Sequence, residues 1–423
     1  MTPKRLTLLS LGSRGDVQPF VALGLTLQEA GYHINIATHE VFENFVRSRG
    51  LEFRPVEGNP QEIVQGDSGR AWLETESNPF QFARGFRSLM GPVLRQAMQD
   101  GLLACQDADA LIFGGPAYYI GYSIAKKLNI PYIQAYLQPV HPTTEFPSAL
   151  FPARIPKNGL FNYLSHLLGG GLFWQLLRPV VNEARREFLD LPPLSVMGPF
   201  PKMMREEAPV LYGYSPSVIP KPSNWGDWIH ITGYWFLEQE QWSPAPELEA
   251  FIQSSSPPVY VGFGSMADRD PERITEIVLE ALQESGQPGL LLTGWGGLTQ
   301  DDLPQNVFKL DSAPHDWLFP RMQALVHHGG AGTTAAGLAA GKPNVIVPFF
   351  GDQTFWGRRV FELGAGPRPI ERSKLSASGL ATAIRQATES PSMQARAASL
   401  GENIRAEQGL EEALRWINRS LQR

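Results

Sequence analysis

The chain has 423 residues, 43% of them hydrophobic, and carries 42 acids against 36 bases for a net charge of -6. This length and composition suit two domains with substantial cores and exclude a disordered polypeptide; the acidic balance argues against a nucleic-acid partner while leaving room for a local basic pocket. A single cysteine, Cys105, excludes an intrachain disulfide and a thiolate metal cluster and fits a reducing, cytoplasmic setting.

The N-terminus, Met1 to Arg5, is short and basic. The apolar run Leu6 to Leu11 that follows is too short to span a membrane and lacks a signal-peptide cleavage pattern. It reads as a strand, followed by a helix over Gln18 to Ala30 closed by Gly31. A strand over His33 to Thr38, a helix over Val41 to Arg49 closed by Gly50, and a short strand over Glu52 to Val56 come next. Ala110 to Phe113, Tyr118 to Leu128 and Tyr132 to Ala135 read as strand, helix and strand. Short apolar runs alternating with helices indicate parallel strands joined by helical crossovers. Gln138 to Pro156, rich in prolines and aromatics, reads as a long ordered loop over a binding face. Leu164 to Val181 is the most apolar window; three glycines and Pro179 interrupt it, so it reads as an amphipathic or pocket-lining helix rather than a membrane span. Tyr212, Tyr214, Trp225, Trp228, Tyr234 and Trp235 form a second aromatic stretch. Each ring alone is core material, but together with Phe146, Phe151 and Trp174 they suggest a large apolar acceptor cavity.

Glu238 to Pro258, dominated by Glu, Gln, Ser and Pro, reads as an interdomain linker, which divides the chain into 1–237 and 238–423. The alternation then restarts with a strand over Val259 to Phe263, a helix over Pro271 to Ser285 and a strand over Gly289 to Thr293. Val307 to Leu310, Met322 to Val326 and Asn344 to Val347 read as further strands, and Met393 to Leu421 as a helical segment that packs on the surface and bridges the domains. The expected fold class is α/β: two facing Rossmann-like domains with parallel sheets. Ligands of such sheets bind beyond the carboxyl ends of the strands, in the cleft, where Gly12-Ser13, Gly264-Ser265, Gly294 and Gly329 fall.

The most informative stretch is Val326-His327-His328-Gly329-Gly330-Ala331-Gly332-Thr333-Thr334, between a strand and a helix expected over Ala335 to Ala340. Amides at a helix start lack internal partners and sit at the positive end of the dipole, and glycines admit a bulky anion; this is a phosphate cradle. Asp352-Gln353 follows just past the next strand-like run and supplies an acid and an amide suited to polyol hydroxyls. A phosphate cradle beside a polyol-binding pair suggests a sugar nucleotide.

His-His-Gly-Gly-Ala-Gly-Thr-Thr from His327, with Pro-Phe-Phe-Gly-Asp-Gln from Pro348, resembles the donor signature of family-1 inverting glycosyltransferases of GT-B fold, and most of all the sterol 3-beta-glucosyltransferases and their bacterial relatives. Leu11 to Pro19, Leu211 to Pro216, Thr232 to Trp235, Val259 to Met266 and Pro314 to Phe319 look like the same group, so the likeness covers essentially the whole chain. The resemblance implies transfer of glucose from UDP-glucose to a hydroxyl of an apolar acceptor, a sterol or similar lipid, with inversion. It places the diphosphate at His328, Gly330, Gly332, Thr333 and Ser265, and the sugar hydroxyls at Asp352 and Gln353; Trp295 and Ser312 are counted with the donor pocket. The tryptophan that stacks on uracil in the plant small-molecule enzymes is replaced near Ser312, and their ribose-binding glutamate falls at Ala336. Acceptor contacts are expected from Ser13, Phe146, Phe151 and Trp174. The expected unit is a monomer with peripheral membrane contact.

Inverting transfer needs a base for the acceptor proton and stabilisation of the leaving diphosphate. Asp16, in the first strand-to-helix turn, is the candidate base, although it could equally cap the helix that begins there. His39, after the second strand, is a rival base that reads more simply as a loop histidine; His315 and His327 suit support of the donor pocket. No cofactor and no metal are expected, since Asp268-Arg269-Asp270 has metal-site spacing but reads as a loop and helix cap. An oxidoreductase would use Gly262 to Ala267 as a loose dinucleotide fingerprint, yet the next strand ends in Thr293-Gly294-Trp295 rather than an acid; Gly341-Lys342-Pro343 fails as a phosphate loop. A sugar-nucleotide epimerase or phosphorylase of the same shape, or a non-catalytic carbohydrate- or lipid-binding protein, are the nearer alternatives.

Overall fold

The computed structural model describes residues 4–59, 79–149, 158–237, 242–254, 256–263, 271–292, 303–349 and 351–422. Two sheets organise it. The first contains β1 (Arg5–Leu9), β2 (His33–His39), β3 (Glu52–Val56), β4 (Ala110–Phe113), β5 (Tyr132–Tyr136), β6 (Val210–Tyr212) and β7 (Ile229–Ile231), in the order β3-β2-β1-β4-β5-β6-β7. The second contains β8 (Val259–Gly262), β9 (Gly289–Leu292), β10 (Val307–Leu310), β11 (Ala324–His327) and β12 (Asn344–Ile346), in the order β10-β9-β8-β11-β12. Every strand pair is parallel. Parallel strands need both faces covered, which is why central strands such as β4 and β8 read as short continuous apolar runs. The two Rossmann-like halves thus have the expected class.

Strand order reverses between β1 and β4 in one sheet and between β8 and β11 in the other. The helix after β1, Arg14–Glu29, buries Val17, Phe20, Val21 and Leu23 on one face of its sheet, whereas the helix after β4, Tyr118–Leu128, buries Ile120, Tyr122 and Ile124 on the other. Connections that leave to opposite faces open a crevice at the carboxyl ends of the strands. The turns at Gly12, Gly114 and Gly329 lie at these two crevices.

Several elements depart from the sequence expectations. The segment expected as a linker to Pro258 contains the helix Pro246–Ser254, whose Leu248 is buried with Tyr260 and Phe319. Helix Pro79–Ala104 was not expected, because Gly85, Gly91 and Pro92 interrupt its apolar period. The C-terminal segment is two helices, Pro391–Ala406 and Gly409–Leu421, not one. The second carries Ala413 and Ile417 into the core of the first sheet against helix Arg14–Glu29, so the chain crosses back at Glu407-Gln408. Glu407 Oε1 accepts from Ser215 Oγ at 2.7 Å and Ser217 Oγ at 2.8 Å there. A shared cluster of Tyr136, Tyr212, Tyr214 and Trp225 with Leu338, Ile346, Trp356 and Val360 joins the halves. Among the described residues no helix is long and apolar enough to cross a membrane.

Candidate active site

On the first sheet the site begins where β1 ends. Gly12, at φ +118°, turns the chain into helix Arg14–Glu29, with Ser13 as N-cap and Asp16 in the first turn. Asp16 Oδ2 accepts from the Ser13 amide at 2.8 Å and the Ser13 hydroxyl at 3.0 Å, and Ser10 Oγ donates to the Asp16 carbonyl at 2.9 Å. A Cβ on Gly12 would stand 2.5 Å from Asp16 Oδ2, so the carboxylate occupies the space a side chain would take. Asp16 Oδ1 points instead to the turn after β4, 4.0 Å from where a Cβ on Gly115 would lie; among the described residues it has no hydrogen-bond partner. The cap therefore uses one oxygen and leaves the other open. Burial pushes the Asp16 carboxyl up to about 6, against the two Ser13 bonds and with a further push from the Asp352 carboxylate. A carboxylate with one pinned and one open oxygen, titrating near neutrality, has the properties of a general base.

On the second sheet β11 runs into His328-Gly329-Gly330 and then helix Ala331–Ala339, which starts earlier than its apolar residues suggested because Gly330 caps it. The adjacent histidines differ. His327 is buried; its Nε2 lies 2.8 Å from Asn344 Oδ1, and its Nδ1 accepts from the Gly329 amide at 3.1 Å. It braces the turn against β12 and is spent in doing so. His328 folds over Gly330, where a Cβ would lie 2.4 Å from its Nε2, and its buried Nδ1 has no partner among the described residues. Burial, with His327 and His315 close by, pushes its imidazole down to about 3, so it is neutral and can donate one N–H. The first intrahelical bond runs from the Thr334 amide to Gly330 O at 2.9 Å, which leaves the amides of Ala331, Gly332 and Thr333 ahead of the ladder. Among the described residues nothing lies within 4 Å of a Cβ on Gly332, and buried Thr334 Oγ1 has no partner. Together these groups form a donor-rich concavity suited to an anion.

Asp352 stands at the N-cap position of helix Gln353–Leu363, and its Oδ2 accepts from Trp356 Nε1 at 2.8 Å. Burial raises its carboxyl above the ordinary range. Gln353 is buried, with Oε1 accepting from the Phe349 amide at 2.7 Å, so its side chain also shapes the turn that presents Asp352. Trp356 escaped the sequence reading, although its position four residues after Asp352 puts both on one helix face.

The two sides meet. Helix Arg14–Glu29 packs against helix Ala331–Ala339. The Asp352 carboxylate bears on Asp16, and the Arg14 guanidinium bears on His315 across the same gap. Phe146, from the loop after β5, meets Phe355 edge-on at 5.8 Å, two residues beyond Gln353. Asp16, Ser13, His328, Gly330, Gly332, Thr333, Asp352 and Gln353 thus lie about one cleft.

Other expected site residues fall elsewhere. Trp174 is a core ring: only 2% exposed, it stacks on Tyr119 at 4.8 Å and donates to Ser195 O at 3.1 Å, so it does not line an acceptor pocket. The aromatic stretch is likewise packed. Tyr212 OH accepts from the Val140 and His141 amides at 3.1 and 3.0 Å and lies 2.6 Å from His141 Nδ1, and Trp225 stacks on Tyr212 at 5.0 Å. These rings form the floor of the 137–149 loop and not a cavity wall. Ser312 is exposed. His39 is buried at the end of β2 beside Gly58, and burial lowers its basicity. Phe151, Ser265, Trp295, Asp268 and Asp270 lie outside the described residues. Among the described residues no three His, Cys, Asp or Glu side chains gather as a metal site.

Known proteins match this arrangement. Residues 6–147 match the glycosyltransferase family 28 N-terminal domain, and residues 297–415 match the erythromycin biosynthesis protein CIII-like C-terminal domain. A sterol 3-beta-glucosyltransferase of Arabidopsis thaliana is 38% identical over 99% of this chain and 68% of its own. The chain belongs to the sterol 3-beta-glucosyltransferase family. A relative of the same description from Aspergillus clavatus is 39% identical over 99% of this chain, which spans only 30% of that longer protein. The fold extends further: the crystal structure of the calicheamicin glycosyltransferase superposes with a TM-score of 0.67 at 18% identity, covering 100% of this chain and 99% of that one. The two Rossmann-like halves make a GT-B fold.

Proposed function

We propose that this chain transfers glucose from UDP-glucose to the hydroxyl of a sterol with inversion, the acceptor held by residues 1–237 and the donor by residues 238–423. The observation that carries the reading is the open Asp16 Oδ1 beside a cleft whose opposite wall is the His328–Thr333 helix start and Asp352. Transfer is one in-line displacement: the acceptor oxygen bonds to the anomeric carbon, the bond from that carbon to the diphosphate breaks, and the acceptor proton passes to Asp16. Charge grows on the leaving UDP. Donors aimed at that charge strengthen most toward the transition state, which suits the early amides of helix Ala331–Ala339, Thr333 and the neutral His328. Asp352 and Gln353 are assigned to the sugar hydroxyls. We assign no role to a metal or cofactor, and chelation is expected to leave turnover unchanged.

The curated relatives described as sterol 3-beta-glucosyltransferases support the acceptor class. The test is UDP release from UDP-glucose with and without sterol. Release that requires the sterol supports the transferase. Sterol-independent consumption points to an epimerase or phosphorylase, and donor binding without release under any acceptor points to a binding protein.

A further inference from the structure

Helix Gly159–Leu189 is amphipathic in the reverse sense over its first half. Its polar side chains Asn162, Ser165 and His166 are buried, whereas Leu160 is 64%, Leu168 56% and Leu172 63% exposed. The inner face holds the helix to the loop after β5 by polar bonds: Asn162 Nδ2 donates to Thr144 O at 2.9 Å, Ser165 Oγ accepts from the Ser148 amide at 2.8 Å, and His166 Nε2 lies 3.1 Å from Phe146 O. The outer face presents Leu160, Leu164, Leu167, Leu168 and Leu172, the spacing of one helix stripe. Met197, 73% exposed, extends the patch, and its loop is tied to the helix by Gln175 Nε2 donating to Val196 O at 2.7 Å. From Gly159 to Leu177 the helix carries no Asp, Glu, Lys or Arg.

Where the leucines stop, arginines begin. Arg87 donates to the carbonyls of Leu176 and Gln175, Arg178 Nη1 donates to Gln175 Oε1 at 3.4 Å, and Arg84 lies one turn before Arg87 on helix Pro79–Ala104. Among the described residues none of the three makes an ion pair. An uncharged leucine stripe bordered by guanidinium groups whose charge no described carboxylate pairs, on a helix that does not qualify as a membrane span, is the arrangement of an interfacial helix.

We propose that this face docks the chain on an anionic lipid bilayer, the leucines entering the headgroup boundary and Arg84, Arg87 and Arg178 meeting acidic headgroups. A chain of net charge -6 would not be drawn to such a surface by its overall charge, so the local arginines must supply the attraction. The helix that carries the docked face adjoins the cleft, because the loop its inner face grips carries Phe146 against Phe355. The use of that proximity, passing a membrane-dissolved acceptor to Asp16, rests on the transfer reading; the docking does not.

The test is flotation of the purified full chain with phosphatidylcholine vesicles and with vesicles also containing phosphatidylserine, in the absence of donor and sterol. The chain should float with the anionic vesicles, less so as salt rises. Leu164→Glu/Leu168→Glu/Leu172→Glu should lower the bound fraction by about tenfold or more, with UDP binding unchanged. Arg84→Glu/Arg178→Glu should remove the preference for anionic lipid. If the triple variant fails to fold, Leu168→Glu alone carries the test. Unaltered flotation of the folded variants overturns the proposal. So does a parent that ignores vesicles and forms a dimer by light scattering which the same substitutions abolish, since the face would then join two copies.

Discussion

Replacing Asp16 by asparagine separates the two tasks of that side chain. The amide oxygen can still accept from the Ser13 N–H, now 2.8 Å from Oδ2, so the helix cap survives; the proton acceptor facing Gly115 is lost. Removal of a positioned general base costs about 10²- to 10⁴-fold in rate, or roughly 3–5 kcal/mol of barrier. Stability should move the other way. The folded carboxyl stands at about 6 against an ordinary 3.8, so folding favours the protonated form. That contribution is complete below 3.8 and lost as pH rises through about 6. At neutral pH the ionised carboxylate therefore costs at most roughly 3 kcal/mol, at about 1.36 kcal/mol per pH unit. Partial exposure reduces this, so the uncharged asparagine should gain about 1–3 kcal/mol. The assays are sterol-dependent UDP release, UDP calorimetry and thermal melting from about pH 7.5 down to about pH 4. Expected are a large loss of turnover, unchanged UDP affinity and a higher melting temperature whose margin narrows as pH falls. Near-normal turnover would refute the base, and an unshifted melting curve would refute the buried charge.

The acidic limb of kcat/KM should fall tenfold per pH unit below about 6, following Asp16. His315 and His327 near 4 and His328 near 3 stay neutral through that range, so a limb near 4 in the profile would contradict a buried Asp16 as the base. Gly12→Ala should reduce turnover as Asp16→Asn does while sparing UDP affinity, because its Cβ would stand 2.5 Å from Asp16 Oδ2 and φ is +118°; full activity would show that the carboxylate position does not matter. Trp356→Phe keeps the buried ring but removes the 2.8 Å bond to Asp352. It should lower UDP-glucose turnover by about tenfold with UDP affinity intact, and equal losses for both would exclude a sugar-side role for Asp352.

Much of the site was legible because parallel strands and their glycine turns declare themselves locally. Ala110–Phe113 and Val259–Gly262 are buried throughout and read as unbroken apolar runs. Gly12 and Gly329 mark the turns at the crevice. What escaped depends on contacts distant in sequence. Nothing near Glu407 announces that Ser215 and Ser217 will bind it and split the last helix. Aromatic spacing could not tell a core ring from a pocket ring, and Tyr212 and Trp174 proved to be core because their polar atoms find backbone partners. The start of helix Ala331–Ala339 was read late because Ala331-Gly332-Thr333-Thr334 has no apolar period and only the cap at Gly330 sets it. The reversed amphipathicity of helix Gly159–Leu189 was hidden by its uniform hydrophobicity, since the pattern alone does not say which face turns inward.

The central claim is a single displacement with Asp16 taking the acceptor proton. The most direct measurement is the anomeric configuration of the glycoside formed from UDP-α-glucose and sterol, read from the proton coupling at the anomeric carbon. A β-linked product is predicted. An α-linked product would contradict the account, because it would require a double displacement or a front-face mechanism in which Asp16 has a different part.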